Sequence, residues 1–364
     1  MTIDQRQLYA TAAAPREDTS FLRRILRETA PQDWLVFAYL AALNVAVLQA
    51  DPSASRGRSL ELVFGMLLFM VTTLLCVRGG LIKDRFFAPL AYRVAIYGSV
   101  QFSYFLLKDI LPIVNPNALD LELYALDVRL FGFEPAMRMD AIVNSFSTEW
   151  FAFFYFGYFF LLALHVIPLL LFGQRERILG EFCFGMLVIF CIGHVLYMVV
   201  PGYGPYRAMS DHFTRELPSG MWRDMVMATV ASGGAQKDIF PSLHTAAPTF
   251  ILLFSFRHRD KLPFRFSWPV VAFTTVNIIV ATMFLRWHYV IDVVVGLLLA
   301  ALAAALSVRV TRFELARRRE LGLGPNWPLF FPNQAAAPAL TSRTPERQRP
   351  LGLTAPERSS SSSR

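Results

Sequence analysis

Titratable side chains gather at three places along this chain, each at the border of a long apolar run. In "RWHYVID" (Arg286 to Asp292), His288 and Asp292 stand four residues apart, so on a helix they share a face. The carboxylate then accepts a hydrogen bond from one ring nitrogen, which fixes the tautomer and leaves the other nitrogen as a nucleophile or proton acceptor. The same pair would equally serve as a structural cap, since helix ends are the cheapest place in a membrane for ionisable groups. "FPSLHTA" (Phe240 to Ala246) puts Pro241 and Ser242 where a helix can begin, and the free N–H groups of a first turn attract a phosphate oxygen. His244 falls in that turn, placed to give or take a proton. "VVPGYGPYRAM" (Val199 to Met209) is a tight Pro-Gly loop leading to Arg207, which would contact a phosphate or simply a lipid headgroup.

The elements that must position these residues are membrane spans. Hydrophobic residues make up 55% of the 364, aromatics 14%, and the mean hydropathy is +0.42, too apolar for a soluble domain of this length. No period-two alternation marks a membrane barrel, so the fold class is all-α, a polytopic integral membrane protein. Windows of roughly 20 residues give about eight spans, near 33–50, 60–77, 88–112, 149–172, 180–200, 241–256, 267–285 and 288–308. "LDLELYALDVRLFGFEP", between the third and fourth, reads as an amphipathic helix in the interface. Residues 1–32 form an N-terminal segment with a short basic helix, "FLRRILRETA", capped by Thr19 or Ser20, and lack the apolar core of a signal peptide. Residues 309–364 read as a basic tail, largely disordered after Gly322.

Arginines and lysines concentrate before span one and after spans two, four, six and eight, all on one side if there are eight spans. That side is expected to be cytoplasmic, with both termini on it, which puts the three polar motifs together on the extracytoplasmic face. The net charge of +8 follows from this topology and calls for no nucleic acid. Cys76, Cys183 and Cys191 fall inside spans and build neither a disulfide framework nor a metal site. Arginine far outnumbers lysine, which points to a bacterial source and hence an inner membrane.

Taken in order, the Pro-Gly loop ending in arginine, PSxH and HxxxD resemble the three-part signature of the type 2 phosphatidic acid phosphatase superfamily. Within it, "FPSLH" (Phe240 to His244), "HYVID" (His288 to Asp292) and "LDVRLFGFEP" are closer to the inositolphosphorylceramide synthase-like branch. The resemblance implies a six-helix catalytic core over 88–308, with two extra helices in 33–87. It also implies His288 as the phosphoryl-accepting nucleophile, Asp292 orienting it, and His244 protonating the leaving alkoxide. Ser242 and Arg207 would cradle the phosphate, with no cofactor and no metal. Three departures stand out. The first-motif lysine is missing, with Lys108 as the candidate substitute. Thr282 occupies the position of the third-motif arginine, with Arg286 as its candidate replacement. Leu243 stands for the central glycine of PSGH. The expected function is a membrane-embedded lipid phosphatase or phosphotransferase acting on a lipid phosphate from the bilayer. The alternatives are a phospho-headgroup transferase and a non-catalytic lipid-binding or transport protein. Oligomeric state is not legible.

Overall fold

A computed structural model of the chain describes residues 20–173, 175–233 and 236–330. Its elements are helices: α1 (Phe21–Glu28), α2 (Pro31–Gln49), α3 (Ala54–Arg78), α4 (Phe87–Arg93), a π turn (Val94–Gly98), α5 (Ser99–Val114), α6 (Asp120–Phe131), α7 (Pro135–Met139), α8 (Ser145–Phe172), α9 (Glu176–Val199), α10 (Pro205–Ala208), α11 (Met221–Gly233), α12 (Leu243–Arg257), α13 (Phe264–Phe284) and α14 (Val290–Leu321). Ser20 takes the N-cap of α1 without a side-chain cap bond, and Thr19 lies outside the described residues.

Six of these helices, α2, α3, α8, α9, α13 and α14, are long and apolar enough to cross a bilayer, against about eight spans expected from sequence. The two others have physical reasons for falling short. The expected span at 88–112 is divided by the π turn, where the backbone ladder changes register. The span at 241–256 is α12, whose 15 residues rise only about 22 Å, less than a bilayer core of about 30 Å. In α9, 72% of the apolar window is buried inside the protein, against 39% or less in the other five, so α9 is the central post of the bundle. It packs against α2, α5, α12 and α14, while α13 turns Phe266, Val270 and Phe273 outward as a lipid-facing surface does.

One end of the bundle is held by buried charges. Arg78 at the end of α3 donates to Asp33 (3.0 Å), to the Tyr92 hydroxyl (2.7 Å) and to the Asn326 carbonyl (3.0 Å). Glu181 on α9 accepts from Arg177, Arg257 and His258, which joins α9 to the end of α12. Arg318 near the end of α14 pairs with Glu314 and Glu28. The cationic loops that the sequence assigns to one side thus do meet at one end of the bundle. The expected boundary at 309 needs correction, because α14 continues to Leu321 and the chain then folds back. Asn326 accepts from Gln32 (2.8 Å), and Trp327 is buried against Tyr92 and Tyr97. The rest of the expected disordered tail lies outside the described residues.

At the other end, α6 is the amphipathic helix expected from sequence between the third and fourth spans, but its acids face the protein. Asp120, Leu123 and Asp127 are buried, whereas Leu121 is 71% and Leu130 57% exposed. The acids face inward because backbone N–H groups of the site loops wait for them, as described next.

Candidate active site

Helix α14 starts at Val290, two residues later than the HxxxD spacing suggests. Tyr289 is its N-cap, and Asp292, in the first turn, accepts from the Tyr289 N–H at 3.0 Å. His288 therefore sits before the helix, not on its face, and meets Asp292 because that carboxylate reaches back. Its Nδ1 lies 3.4 Å from Asp292 Oδ2, a long contact of the kind that tightens when substrate binds. Both side chains are buried, and the second carboxylate oxygen of Asp292 has no partner among the described residues.

The FPSLH segment is tied directly to this turn. Ser242 N–H donates to the Asp292 carbonyl at 3.0 Å, and a side chain at Gly296 would press to 2.6 Å from the Ser242 carbonyl. Only glycine there lets α14 and α12 come so close. Ser242 is the N-cap of α12, with Pro241 outside the helix, and its hydroxyl is fully buried with no partner among the described residues. The first N–H groups of α12 are left without acceptors by helix geometry. His244 lies in that first turn, sandwiched between Tyr155 (4.3 Å between ring centroids, nearly parallel) and Tyr158 (4.1 Å). Its Nε2 also lacks a partner. The ring centroids of His244 and His288 lie 6.5 Å apart with their planes at 45°, so the two imidazoles border the same stretch of the cavity. Both histidines line a cavity of about 590 Å³, together with Tyr155, Tyr158, Asp238 and Trp287.

The remaining sequence candidates fall elsewhere. Arg207 is exposed at the rim, stacked 4.2 Å over Tyr203, a cavity-wall residue. Lys108 is exposed one turn beyond the wall residues Tyr104 and Phe105 on α5, and does not line the cavity. Arg286, expected to contact phosphate, is committed otherwise. Its guanidinium pairs with Asp140 at 2.7 Å, donates to the Arg215 carbonyl and stacks 3.9 Å over Phe213. Its backbone is in the left-handed region (φ 66°), uncommon for a residue with a side chain, and the ion pair holds it there. Arg286 thus shapes the turn that presents Trp287 and His288. Thr282, where the family pattern has arginine, is buried and accepts the N–H groups of Trp287 and His288 on its carbonyl.

A family model described as the PAP2 superfamily matches residues 121–306, just over half of the 364. The chain belongs to the PAP2 superfamily. Neither a search of curated proteins nor one of solved structures returned a match. Membership of the PAP2 superfamily supports an enzyme of the membrane lipid-phosphatase type. The matched region contains His244, His288, Asp292, Ser242 and Arg207, while Lys108 and helices α1 to α5 precede it.

The candidate site also draws on residues the sequence reading did not single out. Asp120 accepts from the N–H groups of Tyr203 and Gly204 and from the Tyr289 hydroxyl, binding the Pro-Gly loop to the histidine turn. Gly204 has φ 83°, and a Cβ there would stand 2.3 Å from the Trp287 carbonyl, so no other residue fits this crossing. Asp127 accepts from Val290 and Ile291 N–H, capping α14 from outside. Asp120 and Asp127 are spaced i to i+7 on α6, which puts them on one face; that spacing is the signal that was available. Burial alone would raise the Asp140 carboxyl, yet the Thr214 hydroxyl and N–H together with Arg286 hold it below the usual carboxylate range. Arg223 on α11 is buried with Nε and Nη1 unpartnered among the described residues, on the same stripe as the cavity residues Val226 and Val230.

One pH effect follows from this scaffold. Burial pushes the Glu134 carboxyl up to about 8, against the Ala136 N–H that it accepts, and neighbouring Asp127 adds to the rise. Its folded value lies above the unfolded 4.5, so the stability it lends is full below 4.5 and lost as pH rises through about 8. Thermal unfolding of the detergent-solubilised protein should show this fall between about pH 5 and 9, and Glu134→Gln should flatten it.

Proposed function

We propose that the chain transfers or hydrolyses the phosphoryl group of a lipid phosphate, with the two histidines facing each other across it. The observation that carries this reading is the pair of rings 6.5 Å apart on one cavity, one of them backed by the buried Asp292. His288, oriented through Nδ1, attacks phosphorus with Nε2 as the bond to the lipid oxygen breaks. His244 gives that oxygen its proton. Water or an alcohol then attacks the phosphohistidine, returns a proton to His244 and frees Nε2. Ser242 and the first N–H groups of α12 hold the phosphate oxygens without need of a metal. Arg207 and Lys108 stand at the rim to draw an anionic headgroup inward. The cationic loops at the far end support placing that end in the cytoplasm and the site on the extracytoplasmic face.

Arg223 takes the part that the sequence reading gave to Arg286. A buried guanidinium with two nitrogens bare among the described residues, beside the Tyr206 ring at 5.7 Å from its centroid, costs several kcal/mol, which an anion offsets. Arg223→Ala should raise KM for a lipid phosphate about 10- to 100-fold, the range for charge-assisted hydrogen bonds, with a smaller change in kcat. Arg223→Lys should recover part of the loss. Michaelis kinetics on both variants check this.

The second reading, transfer to an alcohol, is favoured by Leu243, which packs onto Gly193 of α9 where the phosphatase string has glycine. Asp238, a carboxylate on the cavity wall held by the Tyr104 hydroxyl at 2.9 Å, is suited to accept from an incoming hydroxyl. Purified protein offered a panel of lipid phosphates and phospholipids, with and without chelator, tests both readings. Phosphate release shows hydrolysis and headgroup exchange shows transfer. Neither activity with any lipid would sink the proposal.

A further inference from the structure

The cavity does not end at the histidines. It continues along α8 past Ala163 and Val166 to Leu170, with Gly98 on the opposite wall and α9 as its floor. Twelve residues separate Tyr158 beside His244 from Leu170, a rise of about 18 Å along the helix. Chemistry changes along that path. His244, His288 and Asp238 are at one end, His194 on the α9 floor is engaged by the Tyr39 hydroxyl at 3.2 Å, and the far half of the α8 wall carries only aliphatic side chains. The one hydroxyl at the far end, on Tyr97, is already given to the Cys183 carbonyl at 2.8 Å.

The space is open along its side. Phe105, Phe159 and Ile167 line it and are also 51%, 43% and 52% exposed on the outer surface of α5 and α8. Those two helices each pack on α9 and barely touch each other. The far half, lined by aliphatic side chains and open toward the outer surface of α5 and α8, suits hydrocarbon.

Resting on the lipid-phosphate reading above, we propose that this slot takes one hydrocarbon chain of the substrate sideways from the bilayer while the phosphate lies between the histidines. The chain then leaves the bilayer for the protein. Leaving lipid for the slot gains little hydrophobic energy, because both surroundings are apolar. The slot therefore acts by fit: a chain that is too short leaves a void, and one that is too long must bend at Gly98 and Leu170. The substrate class is a lipid phosphate with a long, single-file chain.

Two experiments test this. The first uses a long-chain alkyl phosphate carrying a diazirine at its chain end, photolysed with His288→Ala protein in detergent and mapped by mass spectrometry. Labelling of residues 162–170 and 97–101 is expected. It does not depend on turnover, so it stands even where the functional reading fails. Labels confined to the outer faces of α3 and α13 would overturn the slot. The second compares turnover of hexadecyl and butyl phosphate. In Ala163→Phe, at mid-slot, the hexadecyl-to-butyl ratio should fall tenfold or more. In Gly98→Phe, at the far end, it should fall less. Gly98 tolerates a side chain, since a Cβ there meets nothing nearer than 3.5 Å. An unchanged ratio in both variants overturns the proposal.

Discussion

His288→Ala is expected to lower turnover of a lipid phosphate by at least about 10³-fold, the loss seen when a nucleophile or its base is removed from a preorganised site. The residual rate would come from phosphate binding alone. Asp292→Asn should cost nearly as much, because an amide presents the wrong partner to Nδ1 and Asp292 also accepts the Tyr289 N–H that starts α14. His244→Ala separates the roles. A group that protonates a poor leaving alkoxide becomes dispensable when the leaving group is acidic. The His244→Ala defect should therefore be large with alkyl phosphates and shrink with an aryl phosphate, whereas the His288→Ala defect should persist with both. Equal defects on the two substrates would remove His244 from the proton-transfer step.

The second large effect is on stability. Asp33→Ala should destabilise the protein by about 3–5 kcal/mol, the usual consequence of leaving one member of a buried ion pair alone. Asp33 is the acceptor for Arg78 and Tyr92 and also for the Ala30 N–H at the start of α2, so its loss strands three donors. Replacing both partners, Asp33→Leu with Arg78→Met, should cost much less, because no charge is then left unpaired. Thermal unfolding of the two variants in one detergent measures the difference. A single mutant no worse than the double would show that the pair is not coupled.

The parts of the site that could be read from sequence were those whose partners are near in the chain. His288 with Asp292, and Ser242 with His244, lie within one turn of one another at the mouth of an apolar run, and polar groups at such borders stand out. Arg286 stands equally near, but nothing local shows that Asp140, 146 residues away, claims its guanidinium. Asp120 and Asp127 were legible as acids on an amphipathic helix, and their number suited an exposed loop. Their partners are backbone N–H groups of Tyr203, Gly204, Val290 and Ile291, which have no sequence signature. Arg223 was hidden for a similar reason, since an arginine on a short helix between spans reads as solvent-facing. The all-helical class was plain because composition decides it. The span count was less so, because a hydropathy window sees neither the π turn at Val94–Gly98 nor the shortness of α12.

The cluster around Arg78 has a consequence for the order in which the chain can be completed. Gln32 finds Asn326 across 294 residues, and Trp327 fills the space beside Tyr92 and Tyr97. At about 5–20 residues per second of synthesis, roughly 15–60 s separate the emergence of these partners. Throughout that interval Gln32 and Arg78 have Asp33 and Tyr92 but not Asn326. The histidine end, built from residues 120 to 296, has all its partners earlier. The last lock on the fold therefore closes at the end remote from the chemistry, and a chain shortened before Asn326 would carry every catalytic group while lacking its final fastening.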